Sequence, residues 1–295
     1  KYSKECTLIL TEGDSAKTMA ISGLSQVGRD YYGVFPLRGK VMNVKSSDTN
    51  KIGSNKEITN IKQILGLKSG MKYKNIADNW PLRYGKIMIM TDQDYDGFHI
   101  KGLLMNLFHT FWPELLNNGF ITSMVTPIVK AKKGNKIKQF YTITDYEKWK
   151  KTVGNGWHIK YYKGLGTSNR NEAKEYFRDL RVIKYIPDPE QEEETVNEVE
   201  LVQEDYIDLA FNKARSNDRK SWVRTYLAKN ILDYNKKEAT FGEFVNRELL
   251  HFSNADVRRS IPSLVDGLKP SQRKIMYSCF KRKLNKEMKV AQLSG

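Results

Sequence analysis

Ile87-Met88-Ile89-Met90-Thr91-Asp92-Gln93-Asp94-Tyr95-Asp96-Gly97 runs an apolar stretch into three carboxylates at alternate positions, closed by a glycine. A short apolar run bounded by a polar loop reads as a buried strand, and the largely apolar segment Ile100 to Leu116 that follows reads as a helix. The same grammar occurs earlier in the chain. Thr7-Leu8-Ile9-Leu10 is a β-prone run ending at Glu12-Gly13, and Ser15 to Gln26 shows helical spacing through Ala16, Met19, Ala20 and Leu24. Strand, turn and helix in alternation predict an α/β fold, a Rossmann-like parallel sheet with flanking helices.

In an extended segment, acids at every second position point to one side, so Asp92, Asp94 and Asp96 can share a hard cation. Crowded carboxylates repel one another and raise their own pKa values unless positive charge sits among them, which makes a divalent metal the economical explanation. Solvated acids of an exposed turn are the alternative. The spacing also matches the opening of a calcium EF-hand loop, but the twelfth position, a bidentate Glu in that loop, is here Leu103. Glu12 holds in its own unit the place of Asp92 in the later one, at the carboxyl end of a parallel strand, where open α/β sheets gather ligands. If the two strands are neighbours, Glu12, Asp92 and Asp94 meet at one sheet edge. Such a site suits Mg²⁺, with water and phosphate oxygens as its other ligands. Taken alone, Glu12 would be surface decoration.

Further out, Gly33-Val34-Phe35 reads as a strand, Ser46 to Ser54 as a polar loop and Asn60 to Leu67 as a helix. Ile121-Thr122, Thr126 to Val129 and Phe140 to Ile143 read as strands extending the sheet, with a lysine-rich turn at Lys132 to Lys138. His158 to Lys163 is a further strand and Gly164-Leu165-Gly166 a turn, after which Asn169 and Glu172 are spaced to cap a helix running to Leu180. Phe244 to Phe252 and Pro270 to Phe280 are amphipathic helix candidates, with Pro270 suited to a first turn.

A chain of 295 residues has room for two or three domains. Hydrophobic residues at 39% and charged ones at 28% fit a soluble globular protein, and no apolar run is long enough to cross a bilayer, so no membrane role is expected. Lys1 to Leu10 lacks the layout of a signal peptide, and a start at lysine suggests a fragment. Cys6 and Cys279 have no metal-ligand spacing, which fits a reducing compartment without a disulfide framework. The formal charge of +16 favours a polyanionic partner through counterion release. Between Asp188 and Asp205 stand nine acids and no Lys or Arg, so the remainder is more basic still, and this acidic stretch is the candidate domain boundary.

Together, Glu12-Gly13-Asp14-Ser15-Ala16 and Asp92-x-Asp94-x-Asp96-Gly97 resemble the Toprim signature of topoisomerases, primases and related nucleases. Three further strings narrow the resemblance. Pro36-Leu37-Arg38-Gly39-Lys40-Val41-Met42-Asn43-Val44, Tyr162-Lys163-Gly164-Leu165-Gly166-Thr167-Ser168, and Ile261-Pro262-Ser263-Leu264-Val265-Asp266-Gly267-Leu268-Lys269-Pro270-Ser271-Gln272-Arg273-Lys274 resemble, in this order, the type II topoisomerase cleavage core. Gln93 and Thr167-Ser168 are closer to its eukaryotic and viral members than to bacterial gyrase.

The resemblance implies a Toprim metal-binding domain over 1–125, its continuation with added strands and a helix over 126–187, an acidic linker with connecting helices over 188–240, and the mainly helical start of a winged-helix DNA-binding domain over 241–295. It implies Glu12, Asp92 and Asp94 as ligands of one or two Mg²⁺ ions, Asp96 as an auxiliary, and a further part for Glu12 in proton transfer. Lys40, Asn43, Arg219, Lys220 and Lys269 are the implied contacts to double-stranded DNA, sequence-independent because they suit phosphates. The implied reaction is transesterification, in which a tyrosine oxygen attacks a DNA phosphorus, forms a 5′-phosphotyrosine link and frees a 3′-hydroxyl. That tyrosine, preceded by an arginine, is expected downstream of Gly295, and Arg83-Tyr84 lies too early to supply it. The ATP-hydrolysing part is expected before Lys1, so ATP belongs to the full-length enzyme, a homodimer of the nucleus or of a viral factory or virion. A Toprim nuclease or primase-like enzyme is the alternative enzyme class, but would have no reason to carry the Lys269 motif. A metal-dependent, non-catalytic DNA-binding module is the third.

Overall fold

In the computed structural model, which describes residues 2–74, 80–189 and 205–295, the two strand-loop-helix units lie side by side. Strand β1 (Thr7–Glu12) is followed by α1 (Gly13–Val27), β2 (Tyr32–Leu37), α2 (Thr49–Gly53) and α3 (Lys56–Leu65). Strand β3 (Lys86–Met90) is followed by α4 (Tyr95–Phe111), α5 (Pro113–Asn117) and β4 (Ile121–Met124). The order β2-β1-β3-β4 is parallel throughout, with Thr11 level with Met90. Thr7 to Thr11 and Ile87 to Met90 are all buried, the mark of central strands covered on both faces.

The next elements are β5 (Val129–Lys133), β6 (Lys136–Phe140), α6 (Ile143–Thr152), β7 (His158–Tyr161), α7 (Arg170–Arg178) and β8 (Val182–Ile186). On one face of the large sheet, Ala16, Met19, Ala20 and Leu24 of α1 and Ala173, Tyr176 and Phe177 of α7 pack over Ile9, Met88 and Met90. Helix α7 starts on the capping box anticipated at Asn169 and Glu172.

Three expectations need correction. The strands expected over Thr126 to Val129 and Phe140 to Ile143 do not extend the large sheet: β6-β5-β7 form a separate antiparallel sheet over Val129, Ala131, Phe140 and Tyr146. Pro127 has no N–H to give a ladder, the lysines expected in a turn are strand residues around the two-residue turn Gly134-Asn135, and Thr142 caps α6 instead of continuing a strand. The helix expected over Ile100 to Leu116 begins at Tyr95 and breaks at Trp112, because the residue before a proline is driven out of the helical region. Finally, Ser46 to Ser54 holds α2, capped by Asp48.

Strand β8, not foreseen, pairs antiparallel with β4 and buries Ile183 and Tyr185 in alternation with Lys184. Helices α8 (Tyr206–Phe211) and α9 (Ser216–Arg224) lead to β9 (Glu238–Thr240), which joins β8 as the outer strand. Then α10 (Phe241–Phe244), a π-helical turn (Val245–Leu249) and α11 (Leu250–Ser260) are followed by α12 (Pro270–Lys281) and α13 (Val290–Ser294). The chain divides into two compact units, one ending at His251 and one spanning Phe252–Gly295. The acidic stretch foreseen as a boundary lies, over 190–204, outside the described residues. Among the described residues no helix is long and apolar enough to cross a membrane, and both cysteines are free.

Candidate functional site

Parallel pairing of β1 with β3 puts Glu12 and Asp92 at the same carboxyl edge of the sheet. There the Asp92 N–H donates to Glu12 Oε2 at 3.2 Å, and the Leu165 N–H donates to Asp92 Oδ1 at 2.7 Å. Each carboxylate thus keeps one oxygen outside these two bonds. The approach of the Gly164-Leu165 turn depends on glycine, since a Cβ at Gly164 would lie 2.3 Å from Asp92 Oδ2. The sequence marked this turn without connecting it to the acids.

The run of acids is extended only as far as Asp94, which caps α4 by accepting from the Gly97 N–H at 2.9 Å. Gly97 is required by crowding as well, because a Cβ there would lie 2.1 Å from the Asp92 carbonyl oxygen. Asp96 falls in the first helical turn instead of on the side of its neighbours, and its Oδ1 accepts from Lys40 Nζ at 2.6 Å, with His99 Nδ1 3.1 Å from the same ammonium. The three aspartates therefore do not line one side of a strand. Helix initiation at Tyr95 decides this, since it changes the side-chain period from two to 3.6 residues.

Burial raises the Glu12 pKa above the ordinary carboxylate range, the Asp92 N–H opposes the shift, and repulsion from Asp92, Asp94 and Asp96 adds to it. Asp92 is raised likewise, by burial first and by Asp94 after the Leu165 bond is overcome. Among the described residues no three His, Cys, Asp or Glu side chains form a ready metal cage. The donors present still suit magnesium, which binds through one or two carboxylates plus water and phosphate oxygens and would offset both the desolvation and the repulsion that raise the two acids.

The Gln93 amide nitrogen is buried beside the Tyr234 hydroxyl. Nearby, Lys101 of α4 donates to Glu248 Oε2 at 2.5 Å and Tyr234 Oη donates to Glu248 Oε1 at 2.8 Å, with Glu248 supplied by the π-helical turn. Lys101 and Glu248 side chains are 3% and 0% exposed, a buried pair that sequence spacing could not reveal across so many intervening residues.

The residues expected to meet DNA divide by environment. Lys40 and Lys220 are exposed, the latter bonded to Asn217 Oδ1 at 3.0 Å. Half-buried Asn43 donates to the Phe211 carbonyl at 3.0 Å and accepts from Asn106 Nδ2 at 2.8 Å, joining the loop after β2 to α8 and α4. Arg219 is half-buried and donates to the carbonyls of Leu209 and Asn212 at the end of α8. In the second unit, Lys269 precedes α12, where Gln272 accepts from its N–H at 2.8 Å.

Three family matches tile the chain: the Toprim domain over residues 7–127, the C-terminal associated domain of TOPRIM over 124–257, and the A subunit of DNA gyrase/topoisomerase IV over 259–295. The chain is 53% identical over 303 residues to a DNA topoisomerase 2 of Arabidopsis thaliana, covering 100% of this chain. Over its whole length the chain is similar to members of the type II DNA topoisomerase family. Within that family a DNA topoisomerase 2 of Plasmodium falciparum is 51% identical over 299 residues. The solved DNA-binding, cleavage and re-ligation domain of Plasmodium falciparum topoisomerase II superposes with a TM-score of 0.81 at 50% identity, covering 99% of this chain and 39% of that one. The chain spans 20% of the length of each of these two topoisomerase 2 relatives.

Proposed function

We propose that the chain is part of the DNA cleavage and religation core of an ATP-dependent, homodimeric type II topoisomerase, supplying the acidic site for tyrosine transesterification of double-stranded DNA. The observation that carries this reading is the meeting of Glu12 and Asp92 across neighbouring parallel strands, both with raised pKa values. Glu12, Asp92 and Asp94 would hold one or two magnesium ions, with Asp96 auxiliary. Bound there, magnesium would supply positive charge to stabilise the charge that develops on the leaving 3′-oxygen.

The chain's own residues do the rest of the positioning. The Leu165 N–H holds Asp92 from one side, while Glu12 Oε2 is engaged by the Asp92 N–H and Oε1 is the oxygen proposed to carry a proton. Lys40, Lys220 and Lys269 are proposed phosphate contacts. Asn43 and Arg219 are proposed to shape the surface of the first unit through their protein bonds and to offer their remaining N–H groups to DNA. The domain division set out from the sequence, with the DNA-binding start at 241–295, belongs to this proposal, as does a nuclear or viral-factory location.

The test extends the chain downstream to the expected tyrosine and measures Mg²⁺-dependent covalent trapping of nicked duplex DNA. Trapping by the parent and its loss in both Glu12→Gln and Asp92→Asn is the expected result. Undiminished trapping in these variants would make the acids structural and refute the assignment.

A further inference from the structure

Residues 129–163, the small sheet with α6, contain ten lysines against two acids, Asp145 and Glu147. Half of the chain's formal charge of +16 therefore sits in this one module. Its core is aromatic and aliphatic: Phe140, Tyr146, Trp149 and Trp157 pack on one another over Val129 and Ala131, with the Phe140 and Trp149 rings 4.9 Å apart, and Lys138 and Lys150 lie over the rings of Phe140, Trp149 and Tyr146. Two lysines are neutralised, Lys130 by Glu175 at 2.6 Å and Lys160 by Glu172 at 2.8 Å. Lys132, Lys136, Lys138, Lys148, Lys150 and Lys151 are exposed, and among the described residues none of them forms an ion pair. On α6, Tyr146 and Trp149 face the core, which leaves Lys148 and Lys151, three apart, together on an outward side.

Such a concentration of like charge costs stability by self-repulsion and is relieved by a polyanion. We propose that this module is a second contact for duplex DNA, gripping backbone phosphates on the flank of the duplex held at the carboxylates. The proposal rests on the reading of the Glu12–Asp92 site given above. Its geometry follows from the chain: β7 runs directly into Gly164, which touches Asp92, and Lys132 is in register with His158, six residues before Gly164. Six residues span at most about 20 Å and the step to the neighbouring strand adds about 5 Å, so Lys132 lies within about 25 Å of Gly164. Over about 20 Å, B-DNA presents about a dozen phosphates, so one duplex can reach both places. Flexible ammonium groups without a platform of exposed aromatic rings suit phosphates and not bases; Tyr161 is the large aromatic side chain of this module that is more than half exposed.

The test is equilibrium binding of the 295-residue chain to a fluorescein-labelled 30-base-pair duplex across a salt series, with and without Mg²⁺. The variant combines Lys132→Gln, Lys136→Gln, Lys148→Gln and Lys151→Gln, and a second carries arginine at the same four positions. Counterion release gives a slope of about 0.9 in log K against log salt for each phosphate contact, so the glutamine variant should lose about 2 to 4 from its slope and the arginine variant should keep the parent value. An unchanged slope in the glutamine variant overturns the proposal and leaves the carboxylate reading standing. Loss of slope there, with no Mg²⁺-dependent binding that Glu12→Gln abolishes, would retain the module as a DNA contact while removing the acidic site beside it. If polyglutamate binding falls in the glutamine variant while duplex binding does not, the partner is an acidic polypeptide and the proposal fails.

Discussion

Gly164 shows how closely the acidic site is fitted at the scale of single residues. A methyl group there would overlap Asp92 Oδ2, so Gly164→Ala must push the turn or the carboxylate aside and weaken the Leu165 bond. Displacing the support of a metal ligand costs roughly 10–100-fold in metal affinity, and a Mg²⁺ titration of thermal unfolding should move to higher concentration by that factor in Gly164→Ala. An unmoved titration would show that the turn does not position Asp92. The acids themselves were legible in the sequence because carboxylates crowded at fixed spacing need a reason. The partners that set their geometry were not, since Leu165 contributes only a backbone N–H and its identity carries no signal.

At the scale of elements, two polar junctions tie the helices and sheets together. Lys101 and Glu248 join α4 to the π-helical turn with both charges out of water. Removing one partner of a buried pair costs about 3–5 kcal/mol, so Lys101→Met should lower unfolding stability in urea by that amount, and Tyr234→Phe by less. A loss below about 1 kcal/mol for Lys101→Met would mean that the pair is not buried in solution. Glu172 joins β7 to α7: burial raises its pKa, but the bonds from Lys160, Tyr162 and the Asn169 N–H prevail and leave it below the ordinary carboxylate range. A depressed folded pKa stabilises above the unfolded value and loses that contribution as pH falls through the folded one. Glu172→Gln should therefore be less stable than the parent at neutral pH and converge with it in acid below the carboxylate range. A stability deficit independent of pH would contradict this linkage. The capping box at Asn169 and Glu172 was legible because it is local, whereas the small sheet was misassigned because strand runs do not state which sheet they join.

For the whole molecule, the division at His251 separates a unit with a dense core from one without its own. From Ser253 onward no residue is buried, and Leu264, Val265, Phe280 and Val290 are exposed. Limited trypsin digestion should therefore remove the segment after Phe252 first, through sites such as Arg258 and Arg259, and leave a resistant product of the first unit, as mass spectrometry would show. Equal resistance of both units would contradict the burial pattern. The sequence by itself determined the α/β class, the two strand-loop-helix units and the acids at the ends of their strands, because burial period, turn chemistry and charge spacing are written along the chain, whereas the pairing of the two strands as neighbours came from the structure. Tertiary structure alone decided that Asp96 turns to Lys40, that the lysine hairpin forms a sheet of its own, and that Lys101 meets Glu248, because these depend on where a helix starts and on which distant segments fold into contact.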